Sequence, residues 1–249
     1  MARRARCNEL LAPANLATAR RAWFHPRVQR IIVITGTDTG VGKTVLTAWL
    51  AAHLRARGAS VAALKPLCSG GREDARVLHR ALNGALTLDE INPWHFRAPL
   101  APLLAARKER RRIQLPEVIT HIRSIARRFD IVLVEGAGGL LSPLGENFST
   151  RDWITALRAE VIVVARNQLG VVNHLRLTLE ALPPACAARA KVVLMSPPRA
   201  SAASRTNPAL VQEFIGTAPW VVLPCRKTMD PAVAAKDARV RRVLRQLFR

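Results

Sequence analysis

The sequence predicts an α/β fold: a doubly wound, mostly parallel sheet flanked by helices. Two observations carry this expectation. Short, continuous β-branched runs recur along the chain, and stretches with helical apolar spacing separate them. Runs that are apolar throughout, rather than alternating, suit strands buried on both faces of a parallel sheet. Strands alternating with helices then place layers over that sheet. In this architecture ligands bind beyond the carboxyl ends of the strands, so the informative residues should follow the apolar runs.

Residues 1–29 are arginine-rich, with Glu9 as their one acid, and lack the apolar core of a secretory signal. They are expected to be a basic disordered tail, or an extension left by a misplaced start codon, without a function. Residues 30–249 are expected to form a single domain. Its strand runs are RIIVIT (30–35), SVAALK (60–65), DIVLVE (130–135), EVIVVA (160–165), KVVLM (191–195) and WVVL (220–223). Between the first two lies KTVLTAWLAAHLRARG, apolar at helical spacing, with Gly58 as its stop. Further helices are expected over 74–82, 116–128, 171–182, 207–215 and 232–248. Residues 93–116, proline-rich and then basic, predict a surface excursion before a helix. The last helix sets Val233, Val240, Val243, Leu244 and Leu247 against Arg239, Arg241, Arg242 and Arg245, a packed face opposite a solvated one.

Composition removes several function classes. No stretch approaches the ~18–20 uncharged apolar residues of a membrane-spanning helix. The 39 Lys+Arg against 17 Asp+Glu give +22. Such a charge attracts anions, including nucleotides. The arginines are spread along the whole chain without a nucleic-acid recognition motif, which favours a solvated basic surface over a nucleic-acid partner. Cys7, Cys68, Cys186 and Cys225 are far apart with no CxxC pair, and the histidines lack ligand spacing. That argues against zinc and suits a reducing compartment, so a cytoplasmic location is expected.

The first strand runs into TGTDTGVGKT (35–44), a near match to a phosphate-binding loop. Gly36 and Gly42 enclose five residues, where the usual loop has four. Strand, glycine loop, Lys-Thr and helix is nevertheless the context in which such a loop binds phosphates. Gly42 lets the backbone approach an anion, and the helix adds its positive end. Lys43 can reach the outer phosphates and Thr44 can ligate Mg²⁺. The predicted nucleotide cradle comprises Gly40, Val41, Gly42, Lys43, Thr44 and Val45. In VLVEGAGG, Glu135 ends a buried run, and Gly136, Ala137, Gly138 and Gly139 would let a ligand near the backbone. Asp74 opens a helix, where an acid is more often a cap than a metal ligand, so it stands as a second candidate for the metal. In LKPLCSGG, Lys65 ends the second strand on the same sheet edge as the loop. Two lysines beside one phosphate site, Lys43 and Lys65, suit phosphoryl transfer. Cys68 reads as a small buried residue.

The motifs GTDTGVGKT, KPLCSGG, an Asp shortly after, VEGAGGLLSPL and NQLGVVNHLRLTLEAL occur in an order that resembles the dethiobiotin synthetase family, a P-loop NTPase type, over about residues 30–225. The five-residue glycine gap is that family's own form of the loop. The resemblance implies an ATP-dependent ring closure of 7,8-diaminopelargonic acid with CO₂ and MgATP, through a carbamate and a carbamic-phosphoric anhydride. It implies that Thr39, Lys65 and Ser69 hold the carbamate end, with Lys65, Lys43 and Thr39 as the catalytic set. Thr44, Asp74 and Glu135 would gather around Mg²⁺. Homodimers are implied, in which Leu169, Gly170 and Asn173 serve the neighbouring subunit's substrate. Ser196 and Pro224 fall on the nucleotide side. Several relatives have an asparagine reading adenine where this chain has Ser196, so looser base selection is expected. The loop from Ser69 to Asp74 is shorter than in many relatives, which would weaken metal binding if it displaced Asp74. The competing readings are another synthetase or ATPase of the same superfamily, such as a cobyrinic-acid amidase type or a partition ATPase, and a nucleotide-dependent nucleic-acid-binding protein. Partition ATPases usually carry a second loop lysine where this chain has Thr39 or Gly40, and they lack the KPxxSG loop.

Overall fold

In a computed structural model, residues 29–215, 218–226 and 230–248 are described, without the side chains of 233–235. All but the last residue of the expected 1–29 extension lie outside the described residues, as does the side chain of Val233. The element order is β1 (Arg30–Gly36), α1 (Lys43–Ala56), β2 (Val61–Leu64), β3 (Leu67–Ser69), α2 (Glu73–Ala81), α3 (Leu88–Ile91), β4 (Trp94–Phe96), α4 (Pro102–Lys108), α5 (Leu115–Ala126), β5 (Ile131–Glu135), α6 (Thr150–Leu157), β6 (Glu160–Arg166), α7 (Val171–Glu180), α8 (Pro184–Ala187), β7 (Lys191–Met195), α9 (Ala202–Phe214), β8 (Trp220–Leu223), α10 (Pro231–Lys236) and α11 (Ala238–Gln246).

The six strands expected from the sequence pair into one sheet in the order β2-β5-β1-β6-β7-β8, and every pairing is parallel. All residues of β2 and β5 are buried, as are the last five of β1. A backbone desolvated on both faces must pair along its edges, and the continuous apolar runs do so. The sheet is flanked by helices in groups: α1 packs with α2, α10 and α11, α5 packs with α6, and α7 packs with α9. The chain leaves β1 for β2 on one side and later places β6 on the other. The end of β1 is therefore the switch point, and the phosphate loop lies there.

Several expectations are corrected. Residues 93–116 are not a bare surface excursion: β4 pairs in parallel with β3 in a second small sheet, and α4 buries Ala105 and Ala106. A proline at the first turn of α4 explains why a proline-rich segment is helical. Helix α9 starts at Ala202, before the expected 207, because Ser201 and Ser204 form a reciprocal cap. The expected 232–248 helix is two helices. Asp237 accepts from the backbone N–H groups of Arg239 and Val240 at 2.8 and 3.1 Å, so it begins α11 instead of continuing α10. In α11, Val240, Leu244 and the following Leu247 are buried, while Arg239, Arg241, Arg242 and Arg245 face solvent. No helix among the described residues is long and apolar enough to cross a membrane.

Candidate active site

The loop between β1 and α1 owes its shape to glycine at two kinds of position. Gly42, the residue before α1, has φ +105°, and Gly40 has φ +68°, both in the left-handed region that strains other residues. Gly36 is different, for it has an ordinary strand conformation. A Cβ there would lie 2.7 Å from Val41 Cγ2 and 3.1 Å from the Val164 carbonyl oxygen. The early glycine is therefore a packing glycine: it lets the loop fold back over the strand end against β6. Arg166, at the end of β6, donates to the Gly40 carbonyl at 3.0 Å, and Met195, at the end of β7, packs against Gly42. Neighbouring strand ends thus brace both turns of the loop. Helix α1 has no acidic residue in its first turn, so no carboxylate of its own competes there for an anion.

Lys43 is 5% exposed and donates to the carbonyls of Asp38 and Gly138 at 2.8 and 2.7 Å. These two acceptors use two of the ammonium's three donors. Burial first, then repulsion from Lys65, lowers its pKa to about 8, against the opposing pull of Glu135, Asp74 and Asp38.

Lys65, directly after β2, is buried and reaches three acceptors. It lies 2.6 Å from Glu135 Oε1, 2.9 Å from Asp74 Oδ2 and 3.1 Å from the Gly136 carbonyl. Burial opposes its charge, but Glu135 and Asp74 outweigh burial and raise its pKa above the ordinary lysine value. For Asp74 burial likewise disfavours the anion, yet Lys65, the Thr44 hydroxyl and Lys43 hold its pKa below the ordinary value. Thr44 Oγ1 also donates to Glu135 Oε1 at 2.7 Å. Glu135 Oε2 is buried without a hydrogen-bond partner. The structure thus joins Thr44, Lys65, Asp74 and Glu135 in one cluster beneath the phosphate loop. At the end of the short loop after Ser69, Asp74 points to Lys65. Burial, ahead of the nearby charges, pushes the Cys68 thiol up to about 12, so it is a protonated packing residue.

The glycines after Glu135 also have packing roles. A Cβ on Gly136 would meet Thr150 Oγ1 at 2.7 Å, and one on Gly138 would meet Ser142 Oγ at 2.3 Å. The Gly138 Cβ position is 3.9 Å from Thr39 Oγ1, which places Thr39 over this turn. Ala137, between these glycines, is half-buried against the core, and so is Val45 in the first turn of α1. Ser69 is half-buried at the end of β3. Ser196 and Pro224 follow β7 and β8, neighbours on the same sheet edge as the loop, and the Ser196 N–H donates to the Leu223 carbonyl at 3.0 Å. Leu169, Gly170 and Asn173 lie apart from the cluster, at the head of α7, where Gly170 has φ +88° and Leu169 is 84% exposed.

Sequence reasoning missed the polar groups that hold these elements. Buried Asn92 donates to the carbonyls of Lys65 and Pro66, and Arg72 donates to Asn92. At the other side, buried Asn167 donates to the Ser204 carbonyl, and Asn207 donates to Asn167. Isolated asparagines carry no periodic signal, and only the fold brings them to their partners.

The family profile described as an AAA domain matches residues 30–232. A protein named ATP-dependent dethiobiotin synthetase from Anaeromyxobacter sp. (strain Fw109-5) is 48% identical over 157 residues, covering 61% of this chain and 70% of that protein. A protein of the same name from Anaeromyxobacter sp. (strain K) is 41% identical over 200 residues, covering 78% and 90% of the respective chains. Another from Bacillus licheniformis is 35% identical over 204 residues, covering 80% and 87%. Among solved structures, the MinD cell division protein of Aquifex aeolicus superposes with a TM-score of 0.54 at 17% identity, covering 88% of this chain and 94% of that one. At that identity the likeness is one of fold.

Proposed function

The chain belongs to the ATP-dependent dethiobiotin synthetase family, and from that premise we propose that it closes the ureido ring of 7,8-diaminopelargonic acid with CO₂ at the expense of ATP, in biotin biosynthesis. The observation that carries this reading is the Lys65 ammonium, buried between Glu135 and Asp74 and one hydrogen-bonding step from Thr44. A phosphate loop alone needs no second lysine.

In this reading one amine nitrogen attacks CO₂ and loses a proton, giving a carbamate. A carbamate oxygen attacks the γ-phosphorus and ADP departs. The second amine then attacks the carbonyl carbon, and the C–O bond to phosphate breaks as the ring closes. Each species is anionic, and fixed positive charge lowers the barrier where negative charge builds. Lys43, Gly40, Val41, Gly42, Thr44 and Val45 would cradle the triphosphate, with Gly136, Ala137 and Gly138 on its far side. Thr39, Lys65 and Ser69 would orient the carbamate, which must be held before it loses CO₂. Ser196 and Pro224 would lie beside the base.

Buried Glu135 Oε2, without a partner and beside Thr44 and Asp74, fits a hard cation. Mg²⁺ takes one or two carboxylates and completes its shell with water and phosphate, so Thr44, Asp74 and Glu135 suffice to hold it. Bound there, it would neutralise charge on the outer phosphates. The apolar face at α7 and α9 supports a homodimer. Leu177, Leu210 and Phe214 are exposed and line one groove with Asn173, and a second copy covering it would bring Asn173, and Leu169 and Gly170 at the head of the same helix, towards its neighbour's substrate. The free thiols of Cys68, Cys186 and Cys225 suit the reducing cytoplasm.

Phosphate release from MgATP tests the proposal. Release should require both diaminopelargonate and bicarbonate and should fall at least a hundredfold in Lys65→Ala. Hydrolysis indifferent to the diamine and to the substitution would overturn it.

A further inference from the structure

The loop that delivers Asp74 is weak by itself. Gly70 and Gly71 have φ +76° and +123°, so the chain passes through two conformations open mainly to glycine, at high entropic cost. Arg72, the residue before α2, makes no side-chain cap on its own helix. Glu73 turns outward to pair with Arg76. Something else must hold the start of α2 against Lys65.

Arg72 supplies that hold. Its guanidinium is mostly buried, with the side chain 16% exposed. Nε donates to Asn92 Oδ1 at 3.1 Å. Nη2 donates to the Leu88 carbonyl at 2.8 Å, to Asp89 Oδ1 at 2.8 Å and to the Asn92 carbonyl at 3.0 Å. Asp89 is 83% exposed, so that ion pair is screened and weak. The three neutral acceptors therefore set the position, and they match a planar fork rather than a point charge. Asn92 is fully buried, and its amide donates to the Lys65 and Pro66 carbonyls at 2.7 and 3.3 Å. The Lys65 N–H completes the frame by donating to the Ile91 carbonyl at 3.0 Å. One polar chain thus runs from the residue two before Asp74, through Asn92, to the backbone of Lys65.

We propose that Arg72 and Asn92 are positioning residues that set Lys65 and Asp74 against each other, and so determine how tightly the diamine carbamate is held. The inference rests on the synthetase reading of the Lys65 site. The backbone of the phosphate loop has its own braces, Arg166 and Met195, so Arg72 reaches the nucleotide side only through Asp74 and the cation Asp74 would help to hold. Loss of the Arg72 fork should therefore weaken the carbamate side more than the nucleotide side.

The test is steady-state phosphate release by the full chain with MgATP, bicarbonate and diaminopelargonate, for wild type, Arg72→Met and Arg72→Lys. Methionine keeps the stem without donors, and lysine keeps the charge without the fork. Supporting residues of this kind typically cost about 10- to 100-fold. The diamine KM should rise about tenfold in Arg72→Met and about threefold in Arg72→Lys, and at saturating Mg²⁺ the ATP KM should rise less than the diamine KM. A merely structural role would reduce the active fraction, and with it kcat, and leave the diamine KM where it was. If Arg72→Met does not fold, Arg72→Lys decides. A diamine KM within twofold of wild type in every folded variant overturns the proposal. A wild type without diamine-dependent release overturns the synthetase reading first, and this inference with it.

Discussion

Lys65 donates to Glu135 Oε1 at 2.6 Å with side chains 5% and 0% exposed, so each charge in this pair depends on the other. The dependence is unequal. Glu135 has Lys65 and the Thr44 hydroxyl as its donors, and its second oxygen is bare. Lys65 has Asp74 and the Gly136 carbonyl in reserve. Removing the lysine strands a buried carboxylate, a change that typically costs about 3–5 kcal/mol. Lys65→Met should fall in that range by urea denaturation, and Glu135→Gln should cost at least about 1 kcal/mol less, since Lys65 keeps two acceptors. Equal costs would mean that the pair is not the organising contact.

Lys43 gives the site a pH dependence of definite sign. Its pKa in the folded protein is lowered to about 8 from the ordinary 10.5. Between those values the unfolded chain binds more protons, so the Lys43 contribution makes the folded state more stable as pH rises from about 8. Activity moves the other way, because triphosphate binding needs the charged amine. In the free enzyme kcat/KM for ATP should fall above pH about 8, whereas kcat should hold to higher pH, since bound phosphates favour the charged lysine. Lys43→Met should remove the Lys43 share of that slope, read as the difference between the wild-type and variant profiles of stability against pH. Coincident pH limits for kcat and kcat/KM would contradict this assignment.

The strands and the phosphate loop were legible because burial on both faces forces continuous apolar runs, and because Lys43 and Thr44 stand at a fixed spacing from Gly42. Glu135 was legible as a charge ending such a run. The pairing of β3 with β4 was not, since each is a three-residue strand held by Asn92 rather than by a pattern of its own. The start of helix α9 was not legible either, because it is set by the reciprocal cap of Ser201 and Ser204 rather than by apolar spacing. Nor could spacing reveal that Gly36 is demanded by Val41 and Val164, contacts made only once β6 lies beside β1.

Base selection should be loose. Ser196 follows β7, with its N–H on the Leu223 carbonyl beside Pro224, and its single hydroxyl offers less than the paired donor and acceptor of an amide. Turnover with ATP, CTP and GTP should differ by less than about a hundredfold. Ser196→Asn should raise the preference for ATP by about three- to tenfold, the worth of one added hydrogen bond. A preference for ATP of a hundredfold or more in wild type would refute the idea and place recognition elsewhere.

Pro208 sits inside α9, where it cannot donate to the carbonyl four residues back, that of Ser204. That carbonyl instead accepts from Asn167 Nδ2 at 2.8 Å, while Asn207 Nδ2 donates to Asn167 Oδ1 and to the Gln168 carbonyl, both at 2.9 Å. The defect in α9 is thus the socket for the turn that leads to Leu169 and Gly170. Asn167→Ala strands a buried acceptor and should cost about 1–3 kcal/mol. Pro208→Ala restores a helical donor to Ser204, so the double variant should be at least about 1 kcal/mol more stable than the sum of the single changes implies. A urea double-mutant cycle measures this coupling. Strict additivity would show that Asn167 does not replace the missing helical bond.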